Sequence, residues 1–219
     1  MNYRKQLSIA RQRRLARSAG FGAAACLIAA VACAPRGEDS ASDYHGNVMS
    51  QPVEKVDFTL IDTDGRPFHF LAETDGYVTL VFFGYTHCPD VCPIHMANIA
   101  AVLKDLPFDL RQQFKVIFVT TDPERDTLEH MREWLDAFDP SFIGLWGTVD
   151  EVNAIAASMW LPPAVRVNAE DGSYEVGHSA NVVAFTKDNR AHVRYPFGIR
   201  QADWAHDLPK LADETWEDQ

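Results

Sequence analysis

The chain predicts an α/β domain with a central mixed sheet, helices on its faces and an added β-hairpin. Three observations predict it. Residues 78–83 and 114–120 are continuous apolar runs, the pattern of strands buried on both faces. Segments with helical spacing of apolar residues follow these runs, and alternating β and α units build sheets covered by helices. Late in the chain, 181–186 and 192–195 read as strands joined through the turn Lys187-Asp188-Asn189-Arg190.

In chain order, the first segment reads as a targeting leader. Arg4, Lys5, Arg11, Arg13, Arg14 and Arg17 form a basic stretch, and no charge follows from 18 to 35. The small, apolar residues 20–32 have the character of a secretory h-region. Cys33 follows Ala30-Val31-Ala32, which resembles a bacterial lipoprotein box with Ala30 where Leu is more usual. Lipidation at Cys33, simple cleavage and an uncleaved N-terminal anchor are all open. Each is the mark of export, and the first and last tether the chain to the outer face of a bacterial cytoplasmic membrane. The expected organisation is a leader over 1–33, a flexible tether over 34–51, one domain over 52–213 and an acidic tail over 214–219.

Within the domain, 53–61 reads as a strand ending at the turn Asp62-Thr63-Asp64-Gly65. Phe68-His69-Phe70-Leu71 pairs with it or opens the next element. After the strand at 78–83, a helix is expected over 92–106, with Met96, Ile99, Ala100 and Leu103 on one face. After the strand at 114–120, Asp126-Thr127-Leu128-Glu129 reads as an N-cap and a helix running to about Phe138. A short strand at 142–146, a helix at 149–159, a strand at 174–176, the hairpin and a helix at 201–211 complete the series.

Charge narrows the partners. Six of the 20 basic residues precede Cys33 and no acid does. The remainder carries 14 Lys and Arg against 31 Asp and Glu, a net charge of −17. A surface so acidic excludes nucleic acid as a partner. It reads as solvated, or as attractive to cationic partners and metal ions.

The chemistry concentrates in Cys88-Pro89-Asp90-Val91-Cys92-Pro93, directly after a buried strand and at the start of a helix. Sulfurs at i and i+4 share one face, where they can close a disulfide or hold a soft metal ion. A helix N-terminus favours the thiolate form. Cys26 and Cys33 lie in the leader, so the domain has only two cysteines, too few for a disulfide scaffold. A bridge across so short a loop has little stabilising leverage. A redox or metal role is the better account. Asp90 is either a local negative charge for a cation or a turn and cap residue.

Other residues have simpler readings. His87 faces solvent or tunes Cys88, and His95 faces outward or binds metal adventitiously. His69, His130, His192 and His206 read as surface or turn residues, and Trp160 and Trp204 as core fillers. The acidic stretch 122–126 reads as a loop and helix cap that lies beside the thiols.

A thiol pair between a buried strand and a helix is the thioredoxin arrangement, here with three intervening residues. The chain closely resembles the SCO/SenC family of copper-delivery proteins. The stretches that carry the resemblance are Phe82-Phe83-Gly84-Tyr85-Thr86-His87-Cys88-Pro89-Asp90-Val91-Cys92-Pro93 and Val119-Thr120-Thr121-Asp122-Pro123-Glu124-Arg125-Asp126-Thr127. Further on come Phe138-Asp139-Pro140-Ser141-Phe142-Ile143-Gly144-Leu145 and Tyr174-Glu175-Val176-Gly177-His178-Ser179. The resemblance implies a thioredoxin-like fold and a copper site, Cu(I) or Cu(II), with Cys88, Cys92 and His178 as ligands. It implies delivery to the binuclear copper centre of cytochrome c oxidase, with that copper-site subunit as partner. An upstream copper donor protein or thiol reductant would serve it. Gly177 departs from the family, which often has an acidic residue before the distal histidine.

The same cysteines, as a redox pair, would also serve a thiol–disulfide oxidoreductase that reduces the oxidase's copper-ligand cysteines. A peroxiredoxin-type peroxidase fits poorly, because Tyr85 stands where a Thr or Ser would precede the attacking cysteine by three. A structural zinc site normally takes four ligands.

Overall fold

The computed structural model describes residues 43–216. The leader, Cys33 and the last three residues lie outside the described residues. Among those described, eight strands form one sheet in the order β1-β10-β9-β4-β5-β6-β2-β3. They are β1 (Asn47–Glu54), β2 (Thr59–Asp62), β3 (Pro67–His69), β4 (Val78–Gly84), β5 (Phe114–Thr120), β6 (Ile143–Trp146), β9 (Val182–Phe185) and β10 (Arg190–Tyr195). A separate ribbon pairs β7 (Val165–Asn168) with β8 (Tyr174–Gly177). The helices are α1 (Phe70–Thr74), α2 (Val91–Asp105), α3 (Phe108–Arg111), α4 (Leu128–Asp136), α5 (Val149–Ser158) and α6 (Gln201–Asp213). The architecture is the mixed, helix-flanked sheet of a thioredoxin-like fold.

The centre of the sheet follows from the two apolar runs. Every residue of β4 is buried. β4 pairs in parallel with β5 and antiparallel with β9. Because strand side chains alternate, Leu80, Phe82, Val116 and Phe118 enter one core with Met96, Ile99, Trp204 and Leu208. Val81, Phe83, Ile117 and Val119 enter the other with Phe70, Val152 and Ala156. The parallel register runs from Val78↔Phe114 to Gly84↔Thr120. The loops that leave the two carboxyl ends therefore meet, which is where open α/β sheets place their sites.

Several boundaries differ from the sequence reading. The expected strand at 53–61 is two strands, and β1 begins at Asn47 inside the expected tether, paired with β10. Polar alternation on an edge strand gave no apolar signal. The ribbon strand β7 alternates apolar and polar residues, but it is only four residues long and all its side chains are exposed, so it was missed for want of length. The helix expected from Asp126 is capped by Thr127, whose hydroxyl accepts from the His130 N–H at 3.1 Å. Trp204 fills the core, whereas Trp160 is 55% exposed in the left-handed region at φ 55°. Trp216, in the expected acidic tail, stacks on His192 with ring centroids 4.1 Å apart. His192 is buried beneath it, not at the surface. No helix of the described residues is long and apolar enough to cross a membrane.

Lys55, just beyond β1, is buried. Its ammonium donates to the Thr74 carbonyl at 3.1 Å and lies near the faces of Phe70 and Phe185. Burial pushes its pKa down to about 8. Between about 8 and the ordinary 10.5 the unfolded chain binds more protons than the folded one, so this group makes stability rise with pH there. Below about 8 its burial penalty is present in full. Lys55→Met is expected to stabilise the fold by about 1–2 kcal/mol at pH 7, less than the shift alone implies because Thr74 loses a donor. The gain should shrink toward pH 10.5 in urea denaturation curves. An equal gain at both pH values would contradict the titration account.

Candidate metal centre

Three elements build the site. β4 ends at Gly84, and a tight turn in which the Cys88 N–H donates to the Tyr85 carbonyl at 3.2 Å leads to α2. Asp90 is the α2 N-cap, its carboxylate accepting from the Val91 N–H at 2.7 Å. Its role is that of a cap. Cys88 lies in the turn and Cys92 in the first turn of α2, both reduced and buried. His178 directly follows β8 and brings the third donor from another part of the chain.

The sulfurs of Cys88 and Cys92 and a ring nitrogen of His178 all lie within 4.8 Å of one another. Nδ1–H of His178 donates to the Ser179 carbonyl at 2.9 Å, which turns Nε2 toward the thiols, 3.7 Å from the Cys92 sulfur. An ion about 2.3 Å from a thiolate and about 2.0–2.1 Å from an imidazole separates those donors by about 3.6–3.8 Å at tetrahedral to trigonal angles. The donor spacing fits a metal. The rings of Tyr85 and Phe82 meet the imidazole edge-on at 5.6 and 5.9 Å and hold its plane.

The two thiols are inequivalent. The Cys92 thiol donates to Cys88, and this is the largest influence holding the Cys88 pKa well below the thiol range. Burial opposes it, and His178 and the amides of Cys92 and Asp90 add to it. Burial chiefly, and then the neighbouring Cys88 sulfur, push the Cys92 pKa up. One sulfur is thus a thiolate and the other retains the shared proton, which a metal would displace.

Gly84 makes room for this pair. A Cβ there would lie 2.8 Å from the Cys92 sulfur, 2.9 Å from Phe82 and 3.0 Å from Phe118. Gly84→Ala is expected to cost about 1–3 kcal/mol through overpacking. The displaced sulfur should also weaken metal binding, read by thermal melts and metal titration of one preparation. Unchanged melting and binding together would contradict the tight fit.

The surrounding loops are tied to the site. Asp126, fully buried, accepts from the Thr86 N–H at 3.0 Å, the Thr86 hydroxyl at 2.5 Å and the Thr120 hydroxyl at 2.7 Å. Asp122 accepts from the Tyr174 hydroxyl at 2.9 Å and pairs with Arg125. The guanidinium groups of Arg125 and Arg166 lie 3.8 and 3.6 Å from the Tyr174 ring centroid. The acidic stretch therefore ties both the thiol loop and the strand that carries His178.

His95 faces inward, contrary to the sequence reading. It is 1% exposed, its Nε2–H donates to the Ala180 carbonyl at 3.1 Å, and burial lowers its pKa. It fastens the loop after His178 to α2 without joining the donor set. Its position was legible only as one residue of a helix; the apolar residues around it were the available signal. His87 is 43% exposed beside Asp126 and is also outside the set. His69 and His130 are at the surface, as expected, and His206 is half-buried. Gly177 is exposed, and a Cβ there would meet only the Val165 carbonyl at 3.6 Å. Space does not dictate the missing carboxylate, and the Ser179 carbonyl orients the imidazole instead.

A family model described as SCO1/SenC matches residues 48–213. A Stutzerimonas stutzeri protein named a putative copper-binding protein is 31% identical over 76% of the chain and 82% of its own length. The SCO1 homolog 1 of Arabidopsis thaliana mitochondria is 34% identical over 56% of the chain, and the bovine mitochondrial SCO2 homolog 32% identical over 62%. The chain spans only 36% and 51% of those two. The copper-bound structure of Bradyrhizobium japonicum ScoI superposes with a TM-score of 0.64 at 33% identity, covering 73% of this chain and 99% of that one. Apo Sco1 from Thermus thermophilus gives 0.68 at 31%, covering 77% and 97%. With the family match running from β1 to the end of α6, over the thiol loop and His178 alike, the chain belongs to the SCO1/SenC family.

Proposed function

We propose that the protein binds copper through Cys88, Cys92 and His178 and passes it to the binuclear copper centre of cytochrome c oxidase. The observation that carries this reading is the convergence of two thiols and one imidazole on a single point. Thiolates are soft donors that suit Cu(I), and the imidazole extends the site to Cu(II). The Stutzerimonas relative's name and the copper in the Bradyrhizobium structure support copper as the metal. The oxidase copper-site subunit as acceptor, an upstream donor or reductant and tethering outside the cytoplasmic membrane follow from the family resemblance and the leader.

The test is anaerobic titration of the reduced chain with Cu(I) and Cu(II), followed by absorption spectroscopy. A thiolate-to-Cu(II) charge-transfer band is expected. His178→Ala should abolish or shift that band while Cu(I), held by two sulfurs, stays within about tenfold of the parent affinity. A band unchanged in His178→Ala would remove the imidazole from the site. Transfer is measured by mixing the loaded chain with the isolated copper-binding domain of the oxidase subunit; no transfer would sink the delivery step.

A second reading rests on the inequivalence of the thiols. A Cys88 thiolate beside a protonated Cys92 is the arrangement of a dithiol reductant: Cys88 attacks a disulfide sulfur, and Cys92 then displaces the substrate thiolate from the mixed disulfide. Electron exchange has no use for His178, so thiol exchange that survives His178→Ala while oxidase assembly fails favours metal delivery.

A further inference from the structure

A second cluster lies at the other end of the described chain, where the segment before β1 meets α6. The rings of His45 and His206 stack with centroids 4.2 Å apart and planes 7° from parallel. Each is held at Nδ1 by its own carboxylate: His45 by Asp203 at 2.8 Å and His206 by Asp207 at 2.7 Å. Asp207 is fully buried and also accepts from the backbone N–H groups of His45 and Gly46 at 3.0 and 2.9 Å. Asp203 also accepts from the Arg200 N–H at 2.9 Å. One donor atom from each of His45, His206 and Asp207 lies within 4.8 Å of the other two.

We propose that His45 and His206 form a second metal site, separate from the thiols, for a divalent ion of borderline softness. A carboxylate on Nδ1 fixes the tautomer and leaves the Nε2 lone pair as the donor, the support that metal-bound histidines receive. The backbone bonds from Asp207 already fasten the chain at 45 and 46. The paired imidazoles are not needed for that fastening. Nitrogen donors select Cu(II), Zn(II) or Ni(II) over Mg(II) and Ca(II), and Cu(II) binds tightest of the divalent series. Parallel rings place a shared ion off the plane of each, so ligation tilts the more mobile one. His45, with its side chain 47% exposed, has that freedom; His206 sits on a helix at 34%. Water completes the coordination. The ion would clasp the N-terminal segment to α6, so that the start of the domain becomes more ordered when divalent metal is present.

The experiment uses the full chain carrying Cys88→Ser, Cys92→Ser and His178→Ala, which removes the first site and makes the result independent of the copper-delivery reading. Equilibrium dialysis with Cu(II) alone should give one ion per chain, with electron paramagnetic resonance showing coupling to two nitrogens. Adding His45→Gln or His206→Gln should weaken binding at least about tenfold and reduce the coupling to one nitrogen. His45→Gln keeps the backbone bonds to Asp207, so an unchanged melting temperature separates lost ligation from lost folding. Zn(II) should compete with Cu(II) and Mg(II) should not. Equal binding with and without either glutamine substitution, or a spectrum with no nitrogen coupling, overturns the site.

Discussion

Cys88→Ser is expected to lower the Cu(I) affinity of the reduced chain by roughly 100- to 1,000-fold. The size follows from donor chemistry. A four-donor thiolate and imidazole site binds its ion with about 10–16 kcal/mol, so one donor is worth about 3–4 kcal/mol, which is that range in affinity. Serine keeps the volume but offers a hard, protonated oxygen that a soft ion does not choose. Cys88 is the sulfur stabilised as thiolate by the Cys92 thiol, His178 and two amides. Its loss removes the donor already poised for an ion and leaves a single sulfur, Cys92, whose thiol burial still holds above the ordinary range. Cys92→Ser should cost a similar factor, with added destabilisation because its side chain is fully buried beneath Gly84. Competition against a chromophoric Cu(I) chelator measures both. An affinity within threefold of the parent in either variant would mean that the ion sits elsewhere.

The centre of this site was legible because two local patterns coincide there. The continuous apolar run of β4 leaves no solvent face, so the strand had to be central, and a short polar turn then had to deliver Cys88 and Cys92 to the sheet's carboxyl edge. The limits of α2, β5 and α5 followed from the same periodicity to within a residue or so. His178 is different. Nothing in its own neighbourhood distinguishes it from seven other histidines; only the resemblance singled it out, because its approach to Cys92 is set by long-range packing of β8 and Tyr174. The same limit explains the misread residues. His95 and His192 are polar letters whose burial is decided by distant partners, the Ala180 carbonyl in one case and Trp216 in the other. β1 lies at an edge, where half-exposed polar residues carry no period-two signal, and β7 alternates over only four exposed residues, too few to mark a strand. The His45 and His206 pair is invisible to any local pattern, since 161 positions separate the residues and only the return of α6 beside the chain's entry to β1 brings them together.

Asp126→Ala is expected to destabilise the fold by about 3–4 kcal/mol and to weaken copper binding by about tenfold, although the side chain touches neither sulfur. The carboxylate is fully buried near the end of the loop from β5 to α4, just before the Thr127 cap, and accepts from the Thr86 N–H, the Thr86 hydroxyl and the Thr120 hydroxyl. Hydrogen bonds to a charged group contribute about 1.5–3 kcal/mol each, and the largest cost falls on a donor left buried without a partner. The Thr86 N–H is that donor: as main chain it cannot turn toward another acceptor, whereas the two hydroxyls can rotate. Thr86 is two residues before Cys88, so a slack Thr86 loosens the turn that aims the first sulfur. Asp126→Asn keeps the shape and one carbonyl acceptor and should lose about half as much stability. Urea denaturation monitored by tryptophan fluorescence gives the midpoints, and Cu(I) competition on the folded variants gives the affinities. If Asp126→Ala unfolds at the parent midpoint, the buried carboxylate is not what holds the thiol loop; if it loses stability but binds Cu(I) with parent affinity, the loop is set by α2 and its Asp90 cap instead.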